Sequence, residues 1–318
     1  MDRTRARSGL LIVALALGAA APAAPPALRA MRWLAPGAEA AHILTTHPGE
    51  CLVLPADPDT RYRVELGRAA FRDPLVLGGQ AARAGLACES CHRDGRNNPD
   101  LDIPGLSGAP GTADVTSFLF SSHRGDHIAN PKAIPDLGGP KSALKVSQSP
   151  GSPALRTFIH GLVTEEFDGA EPPPAILDGL TAYVRALNPA ACPAGPAQMR
   201  VEDAVLDVRR AVTTAREALS RGDSAAAIVM VQAARSRLGD IAERYAGLAS
   251  DRSALAVTDL DLAGVIGAVR RADPDVAERL EIWLARVDGW AITLKRDEAK
   301  SLYERRNFPD RALRSAKR

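Results

Sequence analysis

Cys88-Glu-Ser-Cys91-His92 stands at the head of a stretch, running to Pro153, that is dense in Gly, Pro, Asn and Asp and poor in periodic apolar residues. Such a stretch cannot bury enough surface of its own to become ordered, so it needs something large and apolar to wrap. The motif itself indicates what. Two thiols three residues apart add to the two vinyl groups of a haem, and the adjacent histidine is placed to ligate the iron. With four Cys and six His in 318 residues, chance supplies this pattern on the order of once in a thousand such chains. A redox dithiol calls for a thioredoxin-like βαβ context and a zinc site for a second Cys or His pair at suitable spacing; the sequence offers neither. One covalent haem c is the expected cofactor, attached at Cys88 and Cys91 with His92 as proximal ligand.

The N-terminus points to export. Arg3, Arg5 and Arg7 precede an apolar run from Leu10 to Ala21, followed by small residues at Ala23 and Ala24, which is the order of a secretory signal. The run of about 12 residues is shorter than the roughly 20 needed to span a bilayer. The expectation is a periplasmic protein with no membrane span in the mature chain, a retained anchor being the alternative. In an exported chain the two remaining cysteines, Cys51 and Cys192, read as a disulfide, the alternative being two unpaired thiols. The pair brackets the motif segment, and a bridge would contribute roughly 4 to 5 kcal/mol through loop entropy.

Composition sets the fold class. A 46% hydrophobic and 25% charged content excludes wholesale disorder, and 40 basic against 38 acidic residues, without a run of one sign, gives no sign of a nucleic-acid partner. Aromatics are only 4% while Ala and Leu dominate, which favours an all-α protein packed through small residues. The length suggests about two domains. A signal and linker are expected over 1–30, a haem domain over 50–195, a helical bundle over 200–310 and a basic tail over 311–318.

Within the haem region, residues 59–71 read as a helix capped by Asp59 or Thr60 and stopped at Asp73-Pro74. Residues 175–187 read as a second, with Ile176, Leu180, Tyr183, Val184 and Leu187 on one stripe, and residues 155–167 as a third that carries His160. His42 and His47 precede the domain in what reads as a linker. After Val201 the apolar positions advance by fours and threes: Val201, Val205, Val208, Val212, Ala215, Leu219; then Ala227 to Leu248; then Val276 to Leu294. With a further helix near 259–271 and turns at Arg221-Gly222-Asp223 and Asp273-Pro274, this is an antiparallel bundle. It contains no Cys and no His, so it is not expected to hold a metal.

Gly67 four residues before Phe71, then Cys88 to His92, then Leu180-Thr-Ala-Tyr-Val-Arg-Ala-Leu187 follow the order of the class I cytochrome c fold, which this region resembles. Leu66-Gly-Arg-Ala-Ala-Phe-Arg-Asp-Pro74 before Leu86-Ala-Cys-Glu-Ser-Cys-His92 resembles, more narrowly, the di-haem cytochrome c peroxidase family, including relatives that modify methylamine dehydrogenase. The resemblance covers roughly 59–190 and implies a haem crossed by an N-terminal and a C-terminal helix. The chain departs from that pattern twice. It has one haem motif where the family has two, so the family's internal electron relay is missing. Its methionines, Met1, Met31, Met199 and Met230, leave none between the motif and the closing helix, where the fold usually supplies its axial Met.

The sixth ligand is then His123, whose lead-in Phe118-Leu-Phe is apolar, or His160, or His127, or an open site, with Met199 the least favoured. Histidine in place of methionine lowers the reduction potential. The expected function is single-electron transfer with a redox partner protein, the bundle docking that partner or covering the haem. One alternative is a peroxidase-like oxidoreductase with an open site served by His123, Arg124, Glu165 and Glu166; another is a haem-bearing structural subunit of a larger periplasmic complex.

Overall fold

The computed structural model describes residues 28–125 and 127–308. The apolar run over 10–21 and the basic tail over 309–318 lie outside the described residues. The fold is mostly helical, with seven helices of eight or more residues among those described: α1 (Pro58–Phe71), α2 (Ala154–Gly161), α3 (Pro174–Ala186), α4 (Val201–Ser220), α5 (Ser224–Arg244), α6 (Ala249–Arg270) and α7 (Val276–Asp297). The strands are two-residue pairs: β1 (Thr46–His47) runs antiparallel to β4 (Ala197–Gln198), and β2 (Thr112–Ala113) to β3 (Lys132–Ala133). No helix among the described residues is long and apolar enough to cross a membrane.

α1 begins one step earlier than the sequence suggests. Asp57 is the cap, its carboxylate accepting from the Thr60 backbone N–H at 2.8 Å and the Thr60 hydroxyl at 2.6 Å, and Pro58 fills the first helical position, where its missing N–H costs nothing. α1 and α3 cross in close backbone contact. A Cβ built on Gly67 would lie 1.9 Å from the Gly179 carbonyl oxygen, so no other residue fits at this crossing. The disulfide Cys51–Cys192 closes a span of 141 residues, worth about 5 kcal/mol by loop entropy. The Asn188 N–H donates to the Cys51 carbonyl at 2.7 Å, so the bridge clamps the chain leading into α1 to the chain leaving α3. α2 is regular only to Gly161. It continues as a π turn over Leu162–Glu166, a widening common at functional sites.

In the bundle, Gly222 (φ +76°) turns the chain between α4 and α5, and the Asp223 carboxylate caps α5 by accepting from the Ala226 N–H at 2.8 Å. α6 starts at Ala249, ten residues before the start expected near 259. Val208, Val212, Met230, Leu238, Leu262, Leu280 and Val287 are fully buried along the seams. The apolar core does not stop at the bundle: one cluster runs from Leu66, Phe71, Ile176 and Tyr183 across α1 and α3 into α4–α7. Arg221 at the α4–α5 turn stacks on Tyr62 of α1 at 4.3 Å and pairs with Asp59 at 2.7 Å.

The segment over 28–54, which the sequence presents as leader and linker as far as residue 49, is a strap. Leu28, Ala41 and Leu44 form a small core with Phe308, and Arg29 pairs with Glu243 and Asp240 on α5. Leu34 bridges to Leu101, Leu52 bridges to Leu187, and β1 reaches across to β4. The strap thereby touches the loop region, α3 and the bundle in turn.

Candidate functional site

Gly85, in the left-handed region at φ +73°, ends the short helix Gly79–Ala84 and turns the chain into the motif. Cys88–Cys91 makes a single helical turn, opened by the Ala87 N–H donating to Ser90 Oγ at 3.0 Å and closed by the His92 N–H donating to the Cys88 carbonyl at 2.8 Å. Asp94 (φ +51°) and Gly95 (φ +70°) then reverse the chain against α3. A Cβ on Gly95 would meet Leu187 Cδ1 at 2.6 Å, so the reversal is pressed onto the closing helix. Both motif cysteines are free and partly exposed. Their side chains pack against a second apolar cluster that holds Leu77, Leu86, Leu101, Ile103, Phe120 and Phe167.

His92 Nδ1 lies 3.1 Å from the Pro135 carbonyl oxygen, which accepts the Nδ1–H and leaves the Nε2 lone pair for a metal. The Phe71 ring sits 6.3 Å away. Burial pushes the His92 imidazole down to about 4, so it is neutral, as a metal ligand must be. Burial likewise pushes the Cys88 and Cys91 thiols up to about 12. Among the described residues no group of three or more His, Cys, Asp or Glu comes together to hold a metal. A haem c needs no such group, because the porphyrin supplies four iron ligands and the thiols hold its edge. Two free thiols on one turn, an oriented imidazole beside them and an adjoining apolar cluster fit that cofactor.

Behind the motif lies a charge network with no counterpart in the sequence reading. Glu50 is held by Arg68 and by Arg72 at 2.7 Å, and accepts from the Tyr183 hydroxyl at 2.8 Å. Arg72 also faces Asp94 at 3.5 Å and Glu89 at 3.8 Å. Burial alone would raise Glu50, but the two guanidinium groups outweigh it and hold the carboxyl low. Glu89, inside the motif, is pushed up to about 7, chiefly by burial. His47 is not incidental: its Nδ1 lies 2.7 Å from Asp94 Oδ2. That hydrogen bond raises the His47 imidazole, and together with Arg72 it overcomes burial to hold Asp94 well below the usual carboxylate range. No periodicity or spacing marks His47, since its partner lies 47 residues away and is met only through the strap.

The structure brings several of the remaining candidates together. Ser121 donates from its hydroxyl to the Glu165 carbonyl and accepts from the His123 and Arg124 N–H groups. Arg124 pairs with Glu165 and lies 3.6 Å from Glu166, and His123 Nε2 is 3.8 Å from Asp168. This face rests on the Phe120–Phe167 ring contact at 5.8 Å, within the cluster that borders Cys88 and Cys91. The His123 side chain is 64% exposed. His160 turns instead to Glu171 at 2.7 Å, and His127 (φ +60°) lies 5.5 Å from the Phe118 ring. Met199 accepts from Arg244 at 3.3 Å in the joint with the bundle. No protein-family model, curated protein or solved structure matches this chain.

Proposed function

We propose that this chain is a monohaem c-type cytochrome, exported to the periplasm, that passes single electrons to and from a redox partner protein. The observation that carries the reading is His92 held through Nδ1 by the Pro135 carbonyl, one residue after a turn that presents two free thiols. The Gly67–Gly179 crossing of α1 and α3 beside it supports a class I cytochrome c-like arrangement over 50–195, close to the di-haem peroxidase family but with one haem. When bound, the haem supplies a one-electron couple at iron. Cys88 and Cys91 would hold it through thioethers. Pro135 sets the orientation of His92, and a hydrogen bond to this nitrogen makes the other a stronger donor. The anionic Asp94 and Glu50, each balanced by Arg72, keep fixed charge close to the motif without leaving it unpaired. His123 would be the second protein ligand; among the described residues its exposed side chain makes the long contact to Asp168.

A second reading is favoured by one feature, the assembly of Arg124, Glu165 and Glu166 next to His123. A cation and carboxylates at one place are the groups that peroxide chemistry at an open haem face would use to move a proton and stabilise charge.

Absorption and electron paramagnetic resonance spectra of the ferric and ferrous protein, beside His123→Ala, separate the two. A low-spin bis-imidazole signal that disappears in the variant is the expected result. A high-spin wild-type spectrum overturns the His123 assignment and promotes the second reading. A protein that carries no covalent haem after coexpression with a cytochrome c maturation system overturns both.

A further inference from the structure

α7 carries two apolar stripes, and the fold accounts for only one of them. Leu280, Trp283, Val287 and Leu294 point into the core. On the opposite side Glu278, Ile282, Ala285, Gly289, Ile292 and Arg296 advance by 4, 3, 4, 3 and 4 residues, the spacing of a helix-packing seam, and all six are exposed. Ile282 is 51% and Ile292 72% exposed, on a face that in a surface helix is ordinarily polar. The neighbouring α6, tied to α7 by Arg286–Asp261 at 2.9 Å and by Trp283 Nε1 donating to the Thr258 carbonyl at 3.1 Å, adds Val257 at 61% and Leu260 at 68%.

The outward stripe reads as its own complement when reversed. Ile282 and Ile292 lie five residues on either side of Val287, Ala285 and Gly289 two, Glu278 and Arg296 nine. A second α7 laid antiparallel over the first, with the two-fold axis at Val287, sets isoleucine against isoleucine and the small pair Ala285 and Gly289 against itself, where the helix axes can approach closely. Each Glu278 then meets Arg296 of the other copy. Glu278 has no ion pair among the described residues. Among the described residues Arg296 is ion-paired with Asp297 at 3.0 Å, a carboxylate that Lys300 also serves at 2.6 Å. A single patch that pairs with itself under a two-fold axis is the requirement for an isologous dimer.

We propose that the chain forms a two-fold symmetric homodimer through the outer face of α7, flanked by α6. This goes beyond the haem reading and does not depend on it.

Sedimentation equilibrium of the purified chain, over a concentration series reaching about 100 μM, tests it. The expected result is a dimer that Ile292→Glu converts to a monomer, with far-ultraviolet circular dichroism unchanged, and thermal unfolding unchanged at concentrations low enough for the wild type to be monomeric, because the side chain lies outside the core. Glu278→Arg opposes like charges at two symmetric places and is expected to weaken dimerisation by at least about tenfold. The double variant Glu278→Arg, Arg296→Glu restores the opposite-sign contact and is expected to recover the wild-type constant to within about threefold. A monomeric wild-type chain over the whole series overturns the proposal and leaves this face to a different protein. A dimer indifferent to Ile292→Glu, or a charge reversal that the double variant does not rescue, places the interface elsewhere and overturns it equally.

Discussion

Between Arg93 and Pro153 the described residues contain no helix longer than one turn, whereas between Val201 and Asp297 they form four helices of twenty residues or more. The first stretch is fixed by one small apolar cluster, with Leu101, Ile103, Leu106 and Phe120, and by single long-range bonds. Arg93 donates to the Ile43 and Thr46 carbonyls at 2.9 and 2.7 Å, Arg96 pairs with Asp136 at 2.8 Å, and Asp114 accepts from Asn130 at 2.8 Å. The second is fixed by repetition, each apolar residue seconded by another one turn away. Repetition tolerates loss of a member. A network of single bonds does not, and it needs the disulfide, the strap and the helix crossing to hold its ends in place.

That contrast can be broken at three points. Replacing Cys51 and Cys192 by serine is expected to cost about 5 kcal/mol by loop entropy, read as a lower denaturant midpoint, together with protease cutting between Arg93 and Pro153 before any cutting in the bundle. Equal loss of protection in both stretches would show that they do not differ in this way. Gly67→Ala drives a methyl group into the Gly179 carbonyl and is expected to cost about 4 kcal/mol. The same change at Gly239 in α5, where a Cβ meets nothing within 4 Å, is expected to be neutral or to stabilise by up to about 1 kcal/mol. Comparable thermal midpoints for the two variants would refute the tight crossing.

The third point is the joint between the stretches. Asp73 is 1% exposed. Its Oδ1 accepts from the Leu75 N–H and from Ser236 Oγ of α5, while Oδ2 has no hydrogen-bond partner among the described residues. Burial, with some help from the nearby Asp240, pushes this carboxyl up to about 6. The folded protein thus binds this proton more tightly than the unfolded chain, so the contribution of Asp73 to stability rises as pH falls from above 6 towards 4. Asp73→Asn is expected to be about 2 kcal/mol more stable than the parent at pH 8 and about equal to it near pH 4. A stability difference that does not change with pH would remove Asp73 as the sensitive element.

What could be read from the sequence follows the same division. The bundle seams, the turn at Gly222 and the Gly67–Phe71 helix were legible because local period and turn chemistry alone specify them. The pairing of Cys51 with Cys192 was legible as the even remainder of two cysteines outside the motif. The cap at Asp57 was missed because Asp59 and Thr60 offer the same chemistry two and three residues on. α6 was shortened because Ala249 to Thr258 carries exposed Val257 beside Leu255, which blurs its stripe. The strap and His47 could not be foreseen, since their partners are set by tertiary contacts alone. For the same reason the apolar continuity of α1 and α3 with the bundle stayed hidden behind a change in sequence texture near 200.

The small core of Leu28, Ala41 and Leu44 with Phe308 has a bearing on timing. A ribosome delivers the chain N-terminus first, so the first of these residues waits some 280 residues for the last. Arg29 likewise waits for Glu243. The strap is therefore the final piece to lock, and contacts so distant along the chain form slowly. Until then the stretch after His92 lacks the holds that the strap gives it, the Leu34–Leu101 bridge and the Ile43 and Thr46 carbonyls that accept from Arg93.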